Sequence, residues 1–232
     1  MTHTHLLGTI KNKNNMTWKF WKKELEPVKD RDLDEIKGIC KILFIDDKSF
    51  PVIDILKTAG WCNTTRIKDV DSLEQMEVKE AHILIVDIQG VGKKLKFKDE
   101  GLGLILALKE KYPNKKVIVY SAEDQGKIQA FHPGIDAADK RLSKQADPYQ
   151  FQIVVEGYAK EAFSLHECVK RIQTQIMKEF GKSYETEKII ANMTQLQYSQ
   201  DFSSNSISKI FSIQNGAAIS NIIQLYFTAT AG

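Results

Sequence analysis

Asp46 and Asp47 stand side by side directly after the apolar run Ile42-Leu43-Phe44-Ile45, and a third carboxylate, Asp87, closes the run "HILIVD". Adjacent like charges repel, so the pair is best explained by a positive partner held between them. Three carboxylates gathered at one edge make an oxygen-rich site for a hard divalent cation. Mg2+ is typically held by one or two carboxylates together with phosphate oxygens and waters. Two further groups suit an anion bound to such a cation: the Ser121 hydroxyl, ending "VIVYS", and the Lys144 ammonium, following "DKRLS". Strands often end on polar residues because loops begin there, so no single member carries weight. The conjunction does.

To meet at one edge, these residues must sit at the carboxyl ends of neighbouring parallel strands, where open α/β sheets bind their ligands. The patterning supplies such strands at Lys41–Ile45, Thr64–Val70, His82–Asp87, Lys116–Tyr120 and Ala138–Ser143. Helical patterns fall between them at Pro51–Thr58, Ser72–Met76, Gly101–Lys111 and Asp124–Phe131. Unalternated apolar strands interleaved with helices indicate a parallel sheet covered on both faces. The expected fold class is α/β, a five-stranded doubly wound parallel sheet followed by an all-α extension.

The ordered segments "ILFIDD", "ILIVDIQG", "EGLGLILALKEKYP", "VIVYSAED" and "GIDAADKRLSK" resemble the receiver domain of two-component response regulators, a flavodoxin-like fold, over roughly residues 39–150. The resemblance implies that Asp87 is the phospho-acceptor. It implies a Mg2+ ion held by Asp46, Asp47, Asp87 and the backbone carbonyl of Gln89. Lys144 and Ser121 would contact the phosphoryl oxygens, and a sensor histidine kinase or small molecule would donate. Any enzymatic activity would be limited to self-phosphorylation and dephosphorylation at an aspartate. A dehalogenase-type phosphatase needs its two aspartates one residue apart, which adjacent Asp46 and Asp47 do not provide.

Several features depart from the receiver pattern. Gln145 follows the lysine where proline is usual, and Arg141 stands where an aromatic is common. The Met-Pro step after the phospho-accepting aspartate is missing. The stretch between Asp87 and Gly101, "IQGVGKKLKFKDE", is longer than usual and carries Lys93, Lys94, Lys96 and Lys98. Its glycine and lysine spacing does not make a P-loop. It reads as a solvated flexible loop, or else as a lid or partner contact beside Asp87.

Charge is uneven along the 232 residues: the net is +3, yet residues 1–23 hold five lysines and no acid. The remainder is therefore slightly acidic, which weighs against a nucleic-acid-binding body. Cys40, Cys62 and Cys168 are scattered and read as reduced thiols. No apolar run reaches membrane-span length and no signal-peptide core is seen, so a soluble cytoplasmic protein is expected. Residues 1–38 read as a basic, aromatic arm in which Trp18, Trp21 and Leu25 share a helical face; docking on the protein is favoured over a membrane contact. Residues 39–150 are the receiver-like domain and 151–232 a helical extension.

In that extension Phe151, Val155, Tyr158, Ala162, Leu165, Val169, Ile172 and Ile176 step by alternating fours and threes. A sustained coiled-coil seam of this kind predicts one helix running to about Phe180. A homodimer through Leu165, Val169, Ile172 and Ile176 is the favoured reading, with intramolecular packing as the alternative. The last segment, "AAISNIIQLYF", has no Lys or Arg, which weighs against DNA binding. The leading function is a phosphorylation-controlled signalling protein with a helical output. The alternatives are a transcription factor and a pseudo-receiver acting only as an interaction domain.

Overall fold

An unbroken apolar strand is stable only where helices cover both faces of its sheet. The computed structural model, which describes residues 8–11, 17–20, 25–122 and 132–228, has that arrangement. An antiparallel hairpin, β1 (Gly8–Lys11) and β2 (Thr17–Phe20), precedes α1 (Leu33–Ile39), β3 (Ile42–Ile45), α2 (Val52–Thr58) and β4 (Thr64–Ile67). Next come α3 (Met76–Glu80), β5 (Ile83–Asp87), α4 (Glu100–Lys111), β6 (Lys116–Ser121), α5 (Pro133–Ala137) and β7 (Lys140–Ser143). Five helices follow: α6 (Pro148–Ala162), α7 (Leu165–Phe180), α8 (Thr186–Ser199), α9 (Ser204–Phe211) and α10 (Ala217–Thr228). Strands β3 to β7 form one parallel sheet in the order β4-β3-β5-β6-β7. The fold is the expected doubly wound α/β sheet with additional helices.

Strand alternation sorts the core into two layers. Ile42, Phe44, Ile83, Ile85, Ile118 and Tyr120 face one side, where α1, α2 and α6 contribute Ile36, Leu56, Phe151 and Val155. Leu43, Ile45, Leu84, Val86, Val117 and Val119 face the other, against Val78 of α3 and Leu102, Ile105 and Leu108 of α4. The chain leaves β3 for β4 on one flank and returns to β5 on the other. That reversal opens a crevice at the carboxyl ends of β3 and β5, where Ile45 pairs with Val86.

Local structure departs from the sequence patterns in several places. Residues 33–39, expected within the arm, form α1: the Asp32 side chain accepts the Glu35 N–H at 2.8 Å and caps the helix. Its apolar positions Ile36 and Ile39 are buried, but flanking charges hide the period in the sequence. Trp18 lies in β2 rather than in a helix; Trp21, expected on one helical face with it and Leu25, lies outside the described residues. The helix expected at Ser72–Met76 begins instead at Met76. Gln75 Oε1 accepts the Asp71 N–H at 2.8 Å and Ser72 Oγ accepts the Glu74 N–H at 3.1 Å, forming a turn before the helix. The pattern at Asp124–Phe131 falls outside the described residues.

The seam also differs from the single helix expected. It breaks after Ala162, where Ser164 accepts the Glu167 N–H at 3.1 Å and α7 starts anew. Val169, Ile172 and Ile176 are 3%, 0% and 0% exposed within the single chain. Their burial favours the intramolecular alternative at these three positions, while Leu165, the fourth residue of the homodimer reading, is half-buried.

Two compact units are present. One comprises Asp30–Arg171 with Gln224–Gly232, the other Met1–Lys29 with Ile172–Ile223. Within the first, the Arg31 guanidinium donates to the Tyr226 carbonyl and lies 5.7 Å from the Tyr226 ring centroid. Within the second, Ile172, Ile176, Ile189, Met193, Leu196, Ile207, Phe211 and Ile219 are fully buried. There the Val28 N–H donates to Thr194 Oγ1 at 3.1 Å.

Candidate functional site

The ends of β3 and β5 deliver the acidic residues to the crevice. Asp46 and Asp87 are buried and Asp47 is exposed, and one carboxylate oxygen from each lies within 4.8 Å of the others. At that separation two bare charges repel by about 3.5 kcal/mol at an effective dielectric of about 20. The chain offsets this with Lys144, which follows β7. Its Nζ donates to Asp87 Oδ2 at 2.6 Å and to Asp46 Oδ2 at 3.1 Å. The Lys144 N–H donates to the Ser121 carbonyl at 2.8 Å, fixing where the side chain starts.

Asp46 is held from several sides. Its Oδ1 accepts the Lys48 N–H at 2.8 Å, and its Oδ2 also accepts the Tyr120 hydroxyl at 2.5 Å. Arg66 donates to its carbonyl at 2.8 Å. Burial pushes the Asp46 pKa up, but the Tyr120 hydroxyl, the Lys48 amide and Lys144 outweigh it and hold the group below its ordinary value. Asp87 goes the other way. Burial raises its pKa, Lys144 and the Gln89 amide oppose, and the Asp46 charge adds to the rise, so the net direction is up. Burial lowers the Lys144 pKa, but both carboxylates raise it and prevail. Asp47, among the described residues, makes no hydrogen bond or ion pair.

Two glycines make room at this edge, one for backbone and one for a side chain. A methyl group on Gly101, at the start of α4, would overlap the Asp87 carbonyl oxygen. Gly90 has φ +86°, and a Cβ there would lie 2.7 Å from Asp47 Cγ.

The lysine-bearing stretch between β5 and α4 exposes its lysines but is packed and hydrogen-bonded along one face. Val91 is fully buried, and Leu95 and Phe97 pack on the core layer shared by α3 and α4. Asp69, 9% exposed, accepts the Gly92 N–H at 2.5 Å and the Lys94 N–H at 3.0 Å. Glu100 accepts the Gly90 N–H at 2.6 Å. Alternating apolar and basic residues thus pin one face of the loop and turn the lysines outward. A cleft of about 880 Å³ results, lined by Asp47, Asp87, Gln89, Lys93, Lys98 and Lys144 among others.

Asp46, Asp47, Asp87, Lys144 and the Gln89 segment are therefore brought together. Ser121 is buried at the end of β6 and enters through its carbonyl; its neighbour Ala122 lines the cleft. Sequence reasoning missed Tyr120, Asp69 and Glu100. Tyr120 sits in a strand that reads as plain core, and Asp69 and Glu100 act on backbone amides distant in sequence.

The strand order 2-1-3-4-5 within this sheet is that of flavodoxin-like proteins, with the ligand crevice at the switch point. Solved receiver domains are similar in structure. The receiver domain of NtrX from Brucella abortus is 24% identical, with a TM-score of 0.38, covering 52% of this chain and 98% of that one. A response regulator from Thermotoga maritima is 18% identical, with a TM-score of 0.39, covering 52% of this chain and 97% of that one. The BeF3-activated DrrB receiver domain is 17% identical, with a TM-score of 0.40 and coverages of 52% and 97%. Each of these matches covers about half of this chain. No family model matches the sequence, and no curated protein is similar to it.

The donor set suits Mg2+. All three side chains offer hard carboxylate oxygens, and Asp47 leaves both of its oxygens uncommitted among the described residues.

Proposed function

We propose that this chain is a phosphorylation-controlled signalling protein of the two-component type, in which Asp87 accepts a phosphoryl group. The observation that carries this reading is the bond from Lys144 Nζ to Asp87 Oδ2, with Asp46 and Asp47 gathered around it. A carboxylate nucleophile needs a cationic neighbour for the incoming phosphoryl oxygens and a place to shed the repulsion of adjacent acids. Asp46, Asp47, Asp87 and the Gln89 carbonyl would hold Mg2+, which when bound neutralises charge on the transferring group.

An Asp87 oxygen forms a bond to phosphorus while the bond from phosphorus to the donor nitrogen of a phosphohistidine breaks. The donor imidazole keeps the electron pair. Lys144 then exchanges its contact with the Asp87 carboxylate for one with a phosphoryl oxygen, and the Ser121 hydroxyl accompanies it. A sensor histidine kinase is the partner this chemistry implies, and a small phospho-donor can replace it. The helices after residue 150 serve as the output module and the location is cytoplasmic. Among the described residues no helix is long and apolar enough to cross a membrane. A second copy of the chain would have to dock elsewhere than on Val169, Ile172 and Ile176, which the chain already buries.

The test is intact mass after incubation with Mg2+ and a small phospho-donor. One added phosphoryl group, lost on mild alkaline treatment and absent from Asp87→Asn, is the expected result. Equal labelling of Asp87→Asn would overturn the assignment.

A further inference from the structure

We infer that Tyr120 is a positioning residue of this site, holding Asp46 and Lys144 in the arrangement that receives the cation. The inference rests on the proposed cation and phosphoryl site. It adds a side chain whose position in the strand gave no hint of that role.

The geometry is specific. Tyr120 is fully buried on the face of β6 that looks toward α6. Its ring packs against Phe44, Phe50 and Phe151, with centroids 6.0, 5.1 and 6.2 Å away. That cluster fixes the ring, and the ring aims the hydroxyl. The hydroxyl donates to Asp46 Oδ2 at 2.5 Å, and the Lys144 ammonium lies 4.9 Å from the ring centroid. One side chain therefore contacts both the acid and the base that flank Asp87.

Tyr120 is one of three donors on the Asp46 carboxylate. Lys48 N–H takes Oδ1, while Tyr120 and Lys144 share Oδ2. When Lys144 turns to a phosphoryl oxygen, Tyr120 is the side-chain donor that remains to hold the Asp46 rotamer. A phenylalanine would preserve the ring packing and remove only that donor. Its loss frees the carboxylate to rotate about its last torsion, and a hydrogen bond to a charged group in a buried setting is then missing.

The experiment uses the full chain and Mg2+ as the probe. Mg2+ affinity is read from tryptophan fluorescence and checked by calorimetric titration, for wild type, Tyr120→Phe and Phe151→Leu. Tyr120→Phe is expected to weaken Mg2+ binding about 10-fold, the order expected when one charge-assisted hydrogen bond is lost. Phosphorylation of Asp87 should follow, recovering at saturating Mg2+. Phe151→Leu disturbs the same aromatic cluster without touching Asp46, so it should lower the melting temperature and leave the Mg2+ affinity within about 2-fold of wild type. Unchanged affinity in Tyr120→Phe, with wild type binding Mg2+ normally, overturns the role of Tyr120 alone. Equal weakening in Phe151→Leu also overturns it, since packing and not the hydroxyl would then be responsible. A wild type that binds no Mg2+ removes the cation site itself, and this inference with it.

Discussion

Replacing Lys144 by methionine keeps most of the side-chain volume and removes the charge between Asp46 and Asp87. The side chain is only 20% exposed, so solvent replaces little of the lost interaction. Truncating one partner of a buried pair typically costs about 3–5 kcal/mol. Here an upper limit follows from the chemistry of Asp87. The variant can relieve its repulsion by protonating that carboxylate, whose ordinary pKa is 3.8, at a cost of about 4 kcal/mol at pH 7. The expected loss is therefore about 3–4 kcal/mol at pH 7. Each pH unit lowers the cost of protonation by about 1.4 kcal/mol, so the loss shrinks below about 2 kcal/mol at pH 5. The melting temperature should fall by roughly 6–16 °C at pH 7 and by much less at pH 5, measured by calorimetry without metal. Added Mg2+ should stabilise the variant more than wild type, because it replaces the missing positive charge. A variant within about 0.5 kcal/mol of wild type at pH 7, or a loss independent of pH, would refute the reasoning.

Three further outcomes follow from the same geometry. Asp69→Ala strands the Gly92 and Lys94 amides and should cost about 3 kcal/mol, with faster hydrogen exchange confined to the loop after β5 as the check. Gly101→Ala forces a methyl into the Asp87 carbonyl and should cost at least about 2 kcal/mol while slowing phosphorylation, as chemical denaturation and labelling rates would show. The Asp46 pKa is depressed on folding, so the stability it contributes is present above its ordinary value of 3.8 and is lost as pH falls through the lower folded value. Tyr120→Phe should make that acid-limb loss begin at higher pH in thermal melts.

The sheet was legible because its strands are apolar without alternation, and because turn residues and helical periods separate them. Asp46, Asp47, Asp87 and Lys144 were legible as polar residues at strand ends that the parallel order must bring together. Tyr120 was not, because its value lies in a hydroxyl crossing from β6 to the end of β3, a contact between residues 74 apart in sequence. The loop after β5 misled for a related reason. Its lysines suggest solvation, but Leu95 and Phe97 alternate with them, and a buried carboxylate from beyond β4 holds the backbone. The heptad steps from Phe151 to Ile176 ran across a helix break, since apolar spacing alone does not register that Ser164 caps a new helix. The charged run around Leu33 hid α1 in the opposite way, with a short apolar period masked by capping acids.

In the proposed function Asp87 is the residue that takes the phosphoryl group. The most direct test of this is peptide mapping of the full chain after treatment with Mg2+ and a small phospho-donor, followed by borohydride reduction, which converts an aspartyl phosphate to homoserine. Homoserine is expected at position 87 and at no other aspartate, and only when Mg2+ is present. Homoserine at Asp46 or Asp47, or none at all under conditions that label a control receiver domain, would contradict it.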